Sequence, residues 1–360
     1  MNELDMARAE INQADTEMAA LFEKRMKAVE KIAAFKKENG LPVRDPAREE
    51  AVIERCRQLI GDERVEAMYV EFLRSLIDVS SAYQSSLIEG RSVAYCGIEG
   101  AYAHIAARRL YPEARCVGYK EFREAYAAVE NGECDCAVLP LENSYAGEVA
   151  AVMDLIFNGS LYINQLTDQP IRHALMACPG VRTEDIRTVY SHGQALSQCA
   201  EYIRKHGWRT VECANTAAAA KQVSESGERD AAAIASEETS ALYGLTVLES
   251  GINDSANNTT RFAALSRSQN RPAHTGLRED AGFILVFTVQ NKAGALAQTL
   301  NIIGAHGYNM KTLRSRPMKD LQWNYYFYIE AEGNVNTENG RMMMRELSAI
   351  CARLKLVGTF

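Results

Sequence analysis

Apolar side chains in the first quarter of the chain recur at helical spacing. Leu4, Ile11, Met18, Arg25 and Ile32 stand seven residues apart, with Ala7, Ala14, Leu21, Ala28 and Phe35 as a companion row. That pattern predicts one long helix with a packing seam. A later stripe carries Tyr69, Leu73, Leu76, Ser80, Gln84 and Leu87, and strand alternation is almost absent before residue 88. From residue 92 to about 267 the texture changes. Apolar strands within "VAYCGIEGAYAHIAA", "CAVLPLENSYAGEV", "TVYSHGQALSQCAEYI" and "TVECANTAAAAKQV" lead through small or polar residues into helices, as in open α/β sheets. The polar stretch "SRSQNRPAHTGLRED" predicts a linker. The last segments read strand, helix, strand, strand, helix, strand: "FILVFTV", "GALAQTLNIIGAHG", "MKTLRSRP", "NYYFYIEAEG", "ENGRMMMRELSAICARL" and "KLVGTF". That order predicts an α+β ferredoxin-like βαββαβ sandwich. The chain is therefore multidomain: all-α over 1–88, α/β over 92–267, and α+β over 281–360.

Charges that interrupt the first pattern carry the chemistry. Arg25 occupies a seam position, and Lys36 lies about 20° round the helix from it, so both cations point into the apolar face. Burying two cations without partners costs too much to be a packing choice. Arg8 lies about 26 Å along the same helix and about 100° away, out of reach of that cluster but able to serve a partner chain. In "VRDPAREE", Asp45 is placed to cap a helix that starts at Pro46. Arg48 follows in the first turn, where a cation opposes the helix dipole, with Glu49 beside it. Ser80 and Gln84 put polar groups on an otherwise apolar face, and a buried amide needs partners. Converging in a helical bundle, these residues describe a pocket for a compact dianion.

Residues 1–88 resemble the all-helical chorismate mutase domain through Arg8, Arg25, Lys36, Asp45, Arg48, Glu49, Ser80 and Gln84. The resemblance implies an intertwined dimer in which Arg8 crosses to the partner's site. It implies that Arg8, Arg25 and Arg48 grip carboxylates, that Lys36 and Gln84 address the breaking C–O bond, and that Glu49 holds the ring hydroxyl. The rearrangement is pericyclic and needs no proton transfer, so the site must hold a reactive conformer and stabilise charge.

In the α/β region, Gly97, Gly100, Asn143, Ser144, Ser191 and Thr216 fall near strand-to-helix turns, where the strand ends and helix N-termini of such sheets make a ligand cleft. The spacing in "GIEGAY" makes neither a dinucleotide fingerprint nor a P-loop. The motifs "GIEGAYAH", "PLENSYAG", "VYSHGQALSQC", "ALYGLTVL" and "NNTTRF" resemble prephenate dehydratase, which implies a two-lobed, periplasmic-binding-protein-like fold. In that family the threonine of Thr-Arg-Phe, here Thr260, assists departure of the ring hydroxyl as water while the ring carboxylate leaves as CO₂. Asn143, Ser191 and Gln198 are expected around the substrate, with Glu142, Ser144 and Thr216 nearby and Thr259 a neighbour. Ala103 and Gly193 depart from the serine and proline of many relatives.

"NKAGALAQTL" and "NMKTLRSRP" resemble a phenylalanine-sensing ACT domain, which implies an effector site over Gly294, Ala295, Leu296, Leu313, Arg314, Ser315, Arg316 and Pro317. Arg314 replaces the usual glutamate and reverses a charge there. The net charge of −7 argues against a nucleic-acid partner. The acidic N-terminus lacks a signal-peptide h-region, no run reaches membrane-span length, and nine cysteines without a CxxC fit a reducing compartment. Cys134 and Cys136 read as packing residues at a strand start, and the sequons in "NNTTRF" as irrelevant in a cytoplasmic chain. The expectation is a cytoplasmic bifunctional chorismate mutase and prephenate dehydratase feeding phenylalanine synthesis, at least dimeric, inhibited by phenylalanine, and using no metal or cofactor. Arogenate as the dehydratase substrate, or a catalytically silent sensor, are the alternatives.

Overall fold

The computed structural model describes residues 2–255, 257–269, 281–318 and 325–360. Most of the expected linker, 270–280, lies outside the described residues. Met1–Ser92, with Glu113–Arg115, form one compact unit, and Val93–Pro112 with Cys116–Phe360 form a second.

The first unit is helical. Helix α1 (Glu3–Asn39) runs for about 55 Å, opens on the Asn2 side chain and stops at Gly40, whose φ of 61° needs no Cβ. Helix α2 (Pro46–Arg57) starts as expected, with Asp45 accepting from the Arg48 N–H. Helix α3 (Glu63–Glu89) is capped by Asp62. Both α1 and α2 pack on α3, and Ile53, Val70, Leu73 and Ile77 form the small core between α2 and α3. The seven-residue seam is not the face α1 buries in its own chain. Val29 and Ala33 are buried there, flanked by partly buried Arg25, Met26 and Lys36. Leu4, Ile11 and Leu21 remain 56%, 61% and 64% exposed, and Met18, Ile32 and Phe35 are exposed too. The reason is geometric: the 37 residues of α1 outrun the 27 of α3, so α3 cannot cover the whole length of α1.

The second unit begins with β1 (Ser92–Cys96), α4 (Tyr102–Leu110), β2 (Arg115–Tyr119), α5 (Phe122–Glu130), β3 (Cys136–Asn143), β4 (Gly147–Glu148), α6 (Ala150–Asn158) and β5 (Tyr162–Pro170). The chain then crosses to a second lobe through β6 (His173–Ala177), β7 (Thr188–Ser191), α7 (Gly193–Gln198), α8 (Ala200–His206), β8 (Arg209–Glu212), α9 (Thr216–Ser226), β9 (Ala231–Ser236), α10 (Glu237–Tyr243) and β10 (Thr246–Ser250), and returns as β11 (Thr259–Ser266). The second-lobe sheet is ordered β10-β6-β9-β7-β8. Its central strand β9, "AAAIAS", is buried throughout, and its alanines let the alanine face of α9 approach closely. The two crossings are tied to each other: Ile171 N–H donates to Asn258 O, and Asn253 bonds both Ile171 and His173.

The C-terminal elements β12 (Gly282–Thr288), α11 (Ala295–Ala305), β13 (Met310–Pro317), β14 (Tyr325–Glu332), α12 (Glu338–Ile350) and β15 (Arg353–Thr359) follow the expected βαββαβ order. They are not a separate bead. One sheet runs β13-β14-β12-β15-β5-β11-β3-β1-β2, joined across the two parts by a single register pair, Gly358 with Ile163. A Cβ on Gly358 would collide with the Ile163 carbonyl, so this junction needs glycine. Cys134, in the first-lobe core, and Cys136, at the start of β3, are both buried, in agreement with packing roles.

Candidate active site

In the helical unit the mutase-like residues are partly assembled. Arg25 Nε donates to Ser80 Oγ at 3.2 Å, joining α1 to α3. Lys36 Nζ donates to the Val43 carbonyl, and Glu49 lies 3.7 Å from Arg44, which also pairs with Asp78. Gln84 is buried, makes one long bond of 3.5 Å from Nε2 to Ser80 O, and leaves Oε1 without a partner among the described residues. A buried amide oxygen left over on a face holding two cations is a cost that a bound ligand or water removes. Asp45 serves as the cap of α2. Arg48 is exposed, and Arg8 is exposed 3.9 Å from Asp5 of its own turn. The chain thus brings Arg25, Lys36, Ser80 and Gln84 to one face and leaves Arg8 and Arg48 outward.

The second site is a polar line across the two crossings. Strand β11 lies between β3 and β5, with Thr260 opposite Asn143 on one side and Gln169 on the other. Tyr145 and Ala146 N–H donate to Asn143 Oδ1 at 3.0 and 2.9 Å, an Asx turn that fixes the amide. Asn143 Nδ2 therefore points the other way and donates to Thr260 Oγ1 at 2.9 Å and Asn258 Oδ1 at 2.8 Å. Asn258 Nδ2 donates to Gln198 Oε1 at 2.8 Å, which also lies 3.0 Å from His173 Nε2. Asn143, His173, Gln198, Asn258 and Thr260 are all buried. Among the described residues the Thr260 hydroxyl accepts a bond and donates none. Gln169 is buried, and its amide oxygen has no partner among the described residues.

Ser144, next to Asn143, and Ser191, at the end of β7, both have their protons committed. Ser144 Oγ donates to Asn257 O and accepts from Thr259 N–H, while fully buried Ser191 donates to Ile234 O at 2.6 Å. Thr216 is the first residue of α9, whose cap is Asn215. Gly97 and Gly100 hold φ of 110° and 88° in the turn after β1, where Thr239 Oγ1 donates to Gly100 O. Ala103 is buried on α4, and at Gly193 the helix start is capped by His192 rather than loosened. Asn258, His173, Tyr102 and Gln169 were not singled out from the sequence. Asn258 lies within "NNTTRF", so that motif held a signal for it; His173 and Gln169 carry none that is local.

Glu142 does not join this line. Glu142 is opposite Arg261 in the register, one residue out of phase with the Asn143–Thr260 pair, so its side chain leaves the other face of the ribbon. There it pairs with Arg314, while Arg261 Nε bonds Asp168 at 3.0 Å and Nη1 bonds Glu330 at 3.3 Å. On β13 the burial alternates. Arg314 and Arg316 face inward, Arg316 holding Glu148 and Asp154, whereas Leu313, Ser315 and Pro317 face outward. Gly294 takes φ 80° at the start of α11, Ala295 is buried, and Leu296 packs on the C-terminal core. The expected effector set is therefore divided, and Arg314 faces a carboxylate of its own chain rather than solvent. Arg314→Glu is expected to destabilise this unit by setting two carboxylates together. Adding Glu142→Arg should recover about 1 kcal/mol in a double-mutant cycle read by denaturation, the scale of a part-exposed pair.

Comparison with known proteins gives two sequence profiles, one described as chorismate mutase type II over residues 7–85 and one as prephenate dehydratase over residues 93–270. A bifunctional chorismate mutase/prephenate dehydratase of Enterobacter agglomerans is 32% identical over 380 aligned positions, covering the whole of this chain and 96% of the relative. An arogenate dehydratase/prephenate dehydratase of Arabidopsis thaliana is 34% identical over 277 positions, covering 74% of this chain and 72% of the relative. Among solved structures, a prephenate dehydratase of Arthrobacter aurescens in complex with L-Phe superposes with a TM-score of 0.68 at 28% identity, covering 74% of this chain and 89% of that one.

Proposed function

The chain belongs to the bifunctional chorismate mutase/prephenate dehydratase family, and from that membership we propose how its residues divide the work. It is an enzyme of two activities, rearranging chorismate to prephenate and converting prephenate to phenylpyruvate. The observation that carries the dehydratase reading is the Thr260 hydroxyl, oriented by Asn143 and left with its proton uncommitted. In the reaction the ring-to-carboxylate bond breaks and CO₂ leaves, its electron pair shifts through the ring to complete the aromatic system, and the opposite C–O bond opens, the departing hydroxyl taking up one proton that comes ultimately from solvent and leaving as water. Thr260 is placed to donate a hydrogen bond to that oxygen as charge develops on it. Asn143 and Gln198 line the same cleft, with the unpartnered Gln169 oxygen an acceptor alongside. Ser144, Ser191 and Thr216, at the ends of strands or the start of a helix, remain candidates for its walls, and Glu142 acts from behind the ribbon through Arg314.

For the mutase, Arg25, Lys36, Ser80 and Gln84 supply one chain's share of the pocket, with Glu49 and Asp45 at its rim. The exposed seam of α1 supports a homodimer in which a second copy covers Leu4, Ile11 and Leu21 and contributes Arg8. Roughly 25 cal/mol per Å² of apolar surface buried would favour that association. Domain bounds of 1–88, 92–267 and 281–360 fit this division, the last as an ACT domain. No helix among the described residues is long and apolar enough to cross a membrane.

Phenylalanine regulation rests on the βαββαβ part and on the phenylalanine complex of the Arthrobacter relative. An effector changes a distant rate only by binding one arrangement better than another. Phenylalanine is expected to inhibit the dehydratase more than the mutase, through Gly294 to Leu296 and the outward residues of β13. Titrating it against both activities is the check; unchanged dehydratase at millimolar phenylalanine with no heat of binding would remove the assignment. Rates on prephenate and arogenate decide between the two dehydratase substrates, a choice that the Arabidopsis relative's double name raises.

A further inference from the structure

Five side chains form one hydrogen-bonded line, His173, Gln198, Asn258, Asn143 and Thr260, with Tyr102 packed against the outer end of His173. Its polarity can be read from one end. Two backbone N–H groups hold Asn143 Oδ1, so Nδ2 must face Asn258, which must present Oδ1. Asn258 then has only its NH₂ to offer Gln198, and Gln198 must answer with Oε1. The same oxygen lies 3.0 Å from His173 Nε2, and two acceptors cannot face each other at that distance, so Nε2 carries a proton. The Tyr102 hydroxyl donates its one proton to Arg172 O at 2.7 Å and lies 3.3 Å from Nδ1, so it packs against that nitrogen without fixing its protonation, and the geometry specifies Nε2 alone. His173 is 2% exposed. Burial depresses its pKa, against the opposing pull of the Gln198 bond, and favours the neutral ring. The leftover end of Gln198 is its NH₂, which has no partner among the described residues and is not a sealed buried group.

We propose that His173 is a positioning residue of the dehydratase: as the Nε2–H tautomer it fixes which end of the Gln198 amide is turned to the substrate. It sits at the first strand residue after one lobe crossing, with Tyr102 of the opposite lobe edge-on to its ring at 5.8 Å. Both lobes therefore hold the ring. Were Nε2 bare, Gln198 would turn its NH₂ to His173, its oxygen would face the substrate, and Asn258 would lose its acceptor. The inference rests on the dehydratase reading of this cleft.

The test has two arms. With labelled histidine, the ¹⁵N shifts of the His173 ring, assigned by the signal missing in His173→Gln, should show a protonated Nε2 and a bare Nδ1 at neutral pH. The opposite tautomer, or a doubly protonated ring, overturns the proposal whatever Thr260 does, and this arm needs no variant that folds poorly. In the second arm, His173→Leu should lower dehydratase kcat by about 10- to 100-fold, the scale of one buried polar group left unpaired. The KM for prephenate should move far less, and the mutase rate should be unchanged. His173→Gln, which keeps an N–H donor, should recover much of the loss. Equal impairment in Leu and Gln variants, or a kcat within twofold of wild type in His173→Leu, would show that the ring only fills space.

Discussion

Thr260→Ala is expected to reduce dehydratase turnover by about 10²- to 10³-fold, the range for removing one oriented donor at a developing charge, while chorismate is still converted to prephenate. The expectation follows from proton accounting. Thr260 Oγ1 receives the Asn143 N–H and has a proton to give, whereas Ser144 and Ser191 have already spent theirs on backbone carbonyls. Aromatisation drives the step, so a well-placed hydrogen bond suffices where a strong acid is not required. Thr260→Ser keeps the hydroxyl and loses the branch that holds its rotamer, so part of the rate should survive. Prephenate accumulation and phenylpyruvate formation, followed together from chorismate, separate the two activities in one assay. Wild-type phenylpyruvate formation by Thr260→Ala would reduce the hydroxyl to a strand-end bond.

The other large effect lies in the mutase. Lys36→Ala and Arg8→Ala homodimers should each lose activity by about 10²-fold or more, because each removes a charge that stabilises the transition state. When the two chains are unfolded together and refolded, the mixed dimer should regain about half of the wild-type rate per dimer. One of its sites takes Lys36 from the Arg8→Ala chain and Arg8 from the other, and is whole; the second site lacks both. The structure motivates this strongly, since Arg8 stands exposed on a helix end whose apolar seam is uncovered, while Arg25 and Lys36 sit on the buried face. Verified mixed dimers with no recovered rate would place Arg8 in its own chain's site. A monomeric wild-type protein by light scattering would leave the seam unexplained.

What the sequence determined by itself is the set of features encoded over a few residues. Asp45 before Pro46 announces the α2 start because a cap needs only its own turn. The βαββαβ order is legible because apolar period changes from 2 to 3.6 within each element. Thr260 and Asn143 stand in recognisable short motifs. The α1 seam was visible as a pattern, but its partner was not: periodicity shows that a face is apolar, not whether the same chain covers it. The tertiary structure alone decided the rest. Arg314 reaches Glu142 across 172 residues of chain, and His173 reaches Gln198 and Tyr102 from different lobes, because β11 sits between β3 and β5 and one glycine lets β15 join β5. Strand order and register decide which side chains meet, and a shift of one residue would have sent Glu142 to the cleft and Asn143 to the back. Such long-range pairings leave no local period in the sequence, since each depends on where the other strand happens to lie.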